Sequence, residues 1–163
     1  MTRRCETSIG EYQRLKGFVL YFADKYLSFV DLPENERIAN VVSRIEIEKG
    51  KDAALVGLKQ ALNDCMEMTK AMTLDEIIQF DAELSSHGIM TLSEARLKYS
   101  KSVARILKNR RLSSAVDYYL AKGILAQSSM IIEDGIRQLF SEAVDSYEST
   151  HRNPRPSGRR IPI

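Results

Sequence analysis

Residues 8–29 read SIGEYQRLKGFVLYFADKYLSF. Tyr12, Leu15, Val19, Phe22, Tyr26 and Phe29 recur at three- and four-residue intervals, so in a helix they share one face. Ser8 and Glu11 stand at the spacing of a capping box, in which each residue satisfies the other's unpaired amide. Around Phe18–Phe22 the apolar residues cover most of the circumference. That predicts a central helix over 9–30 with neighbours on several sides.

The same signals repeat along the chain. Asp31 with Glu34, Thr73 with Glu76 and Thr91 with Glu94 match the capping-box spacing. Apolar faces follow at Ile38, Val41, Val42 and Ile45, then at Leu55, Leu58, Leu62, Cys65 and Met72. A last face comprises Ile136, Leu139, Phe140, Ala143, Val144 and Tyr147. Gly50, Gly88 and Gly123 sit where a left-handed residue ends a helix, and Pro33 suits a first helical turn. Helices are expected at 9–30, 33–48, 52–71, 74–87, 92–110, 114–122 and 129–149, and no segment reads as a strand. The expected fold is all-α, a single-domain bundle of about six or seven helices over residues 1–150. From 152 the periodicity stops, and residues 151–163 read as a basic Pro/Arg-rich tail that supplies no core face.

Composition agrees with one folded unit: 163 residues, 44% hydrophobic and 28% charged, suit one core of globular type. Cys5 and Cys65 form no CxxC and neighbour no ligand cluster, which fits a reducing compartment. The amino terminus lacks the apolar stretch of a signal peptide. The longest apolar run, Phe18–Ala23, is about a third of the ~18 residues needed to span a bilayer. A cytoplasmic chain without membrane contact is expected.

The net charge of +2 conceals a partition. Residues 5–91 hold nine basic against fifteen acidic side chains, residues 92–122 eight against two, and residues 123–150 one against five. The body is acidic, interrupted by one basic segment and flanked by basic ends.

Chemistry-bearing patterns are sparse. Asp64 and Glu67 lie one turn apart, and Asp75, Glu76, Asp81 and Glu83 decorate the next helix. The Glu-x-x-His motif of a carboxylate-bridged metal bundle is absent. His87 and His151 are far apart in sequence, and His87 before Gly88 reads as a helix C-terminal residue. Cys65 among Leu62, Met66 and Met68 reads as packing, as do Met66, Met68 and Met72. No GxSxG or phosphate-binding loop is present. No catalytic residue, cofactor or metal site is assigned, and the chain reads as a non-enzyme. An enzyme reading requires a polar pocket in which perturbed carboxylates, such as Asp64, Glu67 or Asp81, converge across helices.

The sharpest surface feature is Lys98, Lys101, Arg105 and Lys108, spaced by three, four and three residues opposite Leu92, Ala95, Tyr99, Val103 and Ile106. On one helix this is a basic stripe, extended by Arg110 and Arg111. Three readings compete: a solvated face neutralised by the protein's own acidic helices, a nucleic-acid contact, and a docking surface for an acidic protein. Against nucleic acid, the following helix carries Asp117, Tyr118 and Tyr119, which are poorly suited to reading base edges. Of Tyr118 and Tyr119, which point apart, one is expected in the core and the other exposed or pinned by its hydroxyl.

Leu58–Met68 (LKQALNDCMEM), Thr91–Arg96 (TLSEAR), Ile106–Leu112 (ILKNRRL) and Asp117–Leu120 (DYYL) give the middle of the chain a resemblance to small helical bacterial proteins found beside toxin genes. These are the immunity-type proteins of interbacterial competition. The resemblance implies a cytoplasmic protein that binds and occludes one toxin without chemistry of its own, and it assigns no partner-binding residue. Two functions are therefore expected in competition. One is a non-enzymatic protein-binding module, in its immunity form with a toxin as partner. The other is a nucleic-acid-associated protein using the basic helix 92–111 and the Arg-rich tail.

Overall fold

The structure, a computed structural model, describes the backbone of residues 3–126 and 132–152 and the side chains of residues 10–126 and 132–151. Among the described residues there are eight α-helices, one 3-10 turn and no strand. The helices are α1 (Arg3–Leu27), α2 (Ile38–Lys49), α3 (Lys51–Met68), α4 (Leu74–Ser86), α5 (Leu92–Tyr99), α6 (Lys101–Asn109), α7 (Ala115–Leu125) and α8 (Asp134–Arg152), with the 3-10 turn at Glu34–Glu36. The fold is all-α. The helix count exceeds the expected six or seven because the helix read over 92–110 is two helices. Ser100 between them is extended at φ −76°, ψ 124°. There the chain divides into two compact units, residues up to Ser100 and residues from Lys101.

In the first unit α1 buries Tyr12, Leu15, Phe18, Val19 and Phe22. At about 1.5–3 kcal/mol for each large apolar side chain removed from water, this face organises the unit. Phe22 and Tyr26 stack edge-on against Phe80 of α4, with ring centroids 6.3 and 5.4 Å apart. Leu58, Leu62 and Cys65 of α3 complete the core with Ile77 and Leu84 of α4 and Leu92 and Ala95 of α5. Polar contacts fix the neighbours of α1: the Tyr12 hydroxyl and the Lys16 ammonium both donate to Glu46 Oε2 of α2, at 2.9 and 3.0 Å. Tyr21 and Lys25 both bond Glu83 of α4.

In the second unit Val103 and Ile106 of α6, Ala121 and Ile124 of α7 and Phe140, Ala143 and Val144 of α8 are buried together with Leu112 and Ile132. Asp117, 3% exposed, is the polar junction. Its oxygens accept Arg105 Nη2 of α6 at 2.7 and 2.9 Å and the Ser113 amide at 3.0 Å.

Two of the four capping boxes form, at Thr73–Glu76 and Thr91–Glu94. The other two do not. Helix α1 begins at Arg3, so Ser8 lies within it, and the run from Arg3 to Ser8 holds no proline to stop it. Asp31 starts no helix either. Pro33 accepts from Glu36 in a 3-10 turn, the extended Arg37 breaks that turn, and α2 starts at Ile38 without a side-chain cap. Gly50 at φ 85° and Gly88 at φ 68° take conformations that a Cβ disfavours. Gly123 was expected to end a helix. It is buried inside α7, which continues to Leu125. The last helix reaches Arg152, and the part of its expected start at 129–131, with the tail from 153, lies outside the described residues.

Candidate functional site

The acidic residues singled out in sequence differ in their surroundings. Asp64 and Glu67 are exposed on α3. Asp81 is buried at the start of α5, where the Leu92 and Ser93 amides donate to Oδ1 at 2.7 and 3.2 Å and the Ser93 hydroxyl donates to Oδ2 at 2.6 Å. Burial raises the Asp81 carboxyl above its ordinary range against the pull of these donors and of Arg96. Arg96, 5% exposed, donates to the Thr69 carbonyl and hydroxyl at the end of α3, at 2.9 and 3.0 Å. Asp81, Ser93, Arg96 and Thr69 thus lock α3, α4 and α5 together, a polar framework that the sequence does not announce. Cys65 is buried, and burial pushes its thiol up to about 12, as a packing cysteine requires.

The basic residues singled out in sequence are divided by the break at Ser100. Lys98 belongs to α5, its ammonium 4.0 Å from Glu11 Oε1. The same carboxylate accepts the Tyr99 hydroxyl at 2.9 Å and lies 3.5 Å from Lys59, so Lys98 serves the first unit. Lys101, Arg105 and Lys108 lie on α6, and Arg105 is committed to Asp117. Arg110 is exposed at φ 52°, an uncommon conformation outside glycine. It turns the chain so that Leu112 enters the core. Arg111 borders a small cleft with Tyr147, Thr150 and His151. Tyr119 is 51% exposed, while Tyr118 is half-buried and donates to Glu148 at 2.7 Å.

A concave feature of the first unit lies elsewhere. A groove of about 610 Å³ opens where α1 ends and α2 begins, walled by Leu20, Ala23, Leu27, Val30, Leu32 and Ile38, with Asp24, Asp31 and Arg37 at polar positions. Its size suits a bound side-chain cluster or small ligand. Phe29 lines it and is 82% exposed, beside Val30 at 42%. Sequence periodicity placed Phe29 on the apolar face of the first helix, but α1 ends at Leu27 and the ring falls on the connection beyond.

Among the described residues no group of three or more His, Cys, Asp or Glu is placed to hold a metal, and no helix is long and apolar enough to cross a membrane. Comparison with protein-family models, curated proteins and solved structures finds no match.

Proposed function

We propose that this chain is a protein-binding module that seizes its partner at the groove between α1 and α2. The observation that carries the reading is Phe29. A phenylalanine 82% exposed on the rim of an apolar groove leaves a large ring in water, and a surface of this kind marks a contact site. Aromatic residues at the centre of an interface supply much of its binding energy.

The rim also states a charge preference. Asp24 and Asp31 line the groove, and Glu34 and Glu36 are exposed on the turn that follows. Among the described residues of the lining, Arg37 is the single cation. An acidic rim around an apolar floor suits a basic partner surface with a protruding apolar side chain. In its immunity form, which rests on the resemblance described above, the partner is a toxin encoded by the adjacent gene, and the basic cleft of a nuclease toxin matches the rim.

Mixing the purified chain with the product of the adjacent gene at micromolar concentration, followed by size-exclusion chromatography, tests the reading. A stoichiometric complex is expected. Separate elution of the two proteins contradicts the immunity form.

A further inference from the structure

We propose that the second unit binds single-stranded nucleic acid, with phosphates on Lys101, Lys108, Arg110 and Arg111 and bases on Tyr119 and His151. At 100° per residue, Lys101, Arg105 and Lys108 fall within about 60° of the circumference of α6. Arg105 is held by Asp117, whereas no carboxylate pairs with the four proposed phosphate contacts among the described residues. All four are exposed.

The second observation is a ladder of rings. Tyr119 meets Tyr118 edge-on at 5.3 Å, Tyr118 stacks on Tyr147 at 5.3 Å, and Tyr147 stacks on His151 at 3.9 Å. The ladder spans α7 and α8 and is open to solvent at both ends, at Tyr119 and at His151. Arg111 joins it to the basic face, because its side chain shares the cleft with Tyr147 and His151.

Most acids of α8 face away from the ladder, and Glu148, which lies beside it, is taken up by its own partners. Asp145 lies about 160° around the helix from Tyr147, and Glu142 about 140°. Glu148 is engaged by the Tyr118 hydroxyl and by Lys122 at 3.8 Å. Asp134 sits about 25 Å along the axis from His151. A polyanion is therefore attracted to the basic face of α6 and the turn after it.

Exposed rings choose the class of polyanion. Bases of a single strand stack on aromatic side chains, whereas those of a duplex are already stacked on each other. Tyr118 and Tyr119 of α7 are poorly suited to reading base edges, but stacking needs no such reading, so binding should tolerate any sequence.

Fluorescence anisotropy of the full chain with a labelled 20-nucleotide oligothymidine, the corresponding duplex and labelled polyglutamate tests the proposal. The single strand is expected to bind at least roughly tenfold tighter than the duplex, with affinity falling steeply as salt rises. The double variant Lys101→Gln, Lys108→Gln should flatten the log–log salt slope by about 1.4, two phosphates' worth. Tyr119→Ala and His151→Ala should each weaken binding by roughly 5- to 100-fold at unchanged slope, and Tyr119→Phe should restore it. Melting curves matching the parent establish that these surface variants are folded. The basic tail is the same in every variant, so the differences report on the helices. Equal affinity for the duplex, preference for polyglutamate, or indifference to both ring substitutions overturns the proposal; preference for polyglutamate assigns the face to an acidic protein.

Discussion

Asp81 is the residue on which most depends in the first unit. Its carboxylate holds the first amides of α5 and stands near the buried Arg96 guanidinium. Replacing it with alanine leaves those donors unpaired and a buried cation without its counter-charge. Asp81→Ala should therefore lower stability by about 3–5 kcal/mol in urea unfolding. Asp81→Asn, which keeps one acceptor, should lower it by less. In sequence this aspartate is one of a row of acids on α4, because pairing across elements leaves no local spacing to read. Cys65 was legible, sitting at a helical interval from Leu58 and Leu62. With its thiol at about 12, a Cys5→Ser variant should leave a disulfide reagent unconsumed at pH 8 until denaturant is added. Rapid native labelling would contradict its packing role.

At the scale of elements, capping and periodicity located most helices, and the failures have local causes. Thr73 and Thr91 cap because each precedes its helix in an extended conformation. Ser8 carries the same pattern inside a continuous helix, where alanine is the better residue. Thr91→Ala should thus lower the urea-derived stability by about 1 kcal/mol. Ser8→Ala should change it by less than about 0.5 kcal/mol or raise it. A cost of the cap's size at Ser8 would show that the helix starts there after all. The break at Ser100 escaped the sequence because Leu92, Ala95, Tyr99, Val103 and Ile106 keep helical spacing across it, and no glycine or proline marks it. The basic stripe was consequently read as one surface, whereas Lys98 is tied to Glu11 in the first unit.

For the whole molecule, charge sets the response to acid. Lys16 and Tyr12 hold Glu46 below the usual carboxylate value of 4.5; Lys25 and Tyr21 do so for Glu83, and the Thr73 amide and hydroxyl for Glu76. Burial works to raise Glu11, but Tyr99, Lys59 and Lys98 outweigh it and hold this carboxyl low as well. Groups with lowered folded values add stability that is present above 4.5 and lost as pH falls through the folded values. Asp81, raised by burial, acts in the opposite sense, its contribution fading as pH rises. With four groups against one, the urea midpoint should hold above about pH 5.5 and fall progressively below it. Constancy down to pH 3 would contradict these pairings. The all-α architecture was legible because caps and apolar spacing are local. The groove was not, since it depends on where α1 stops, and Phe29 continues the apolar pattern two residues past that end. Titration calorimetry with the product of the adjacent gene, comparing the parent chain with Phe29→Ala, tests this most directly. A loss of at least tenfold in affinity at unchanged melting temperature is predicted; equal affinity of the two chains would contradict the groove as the contact surface.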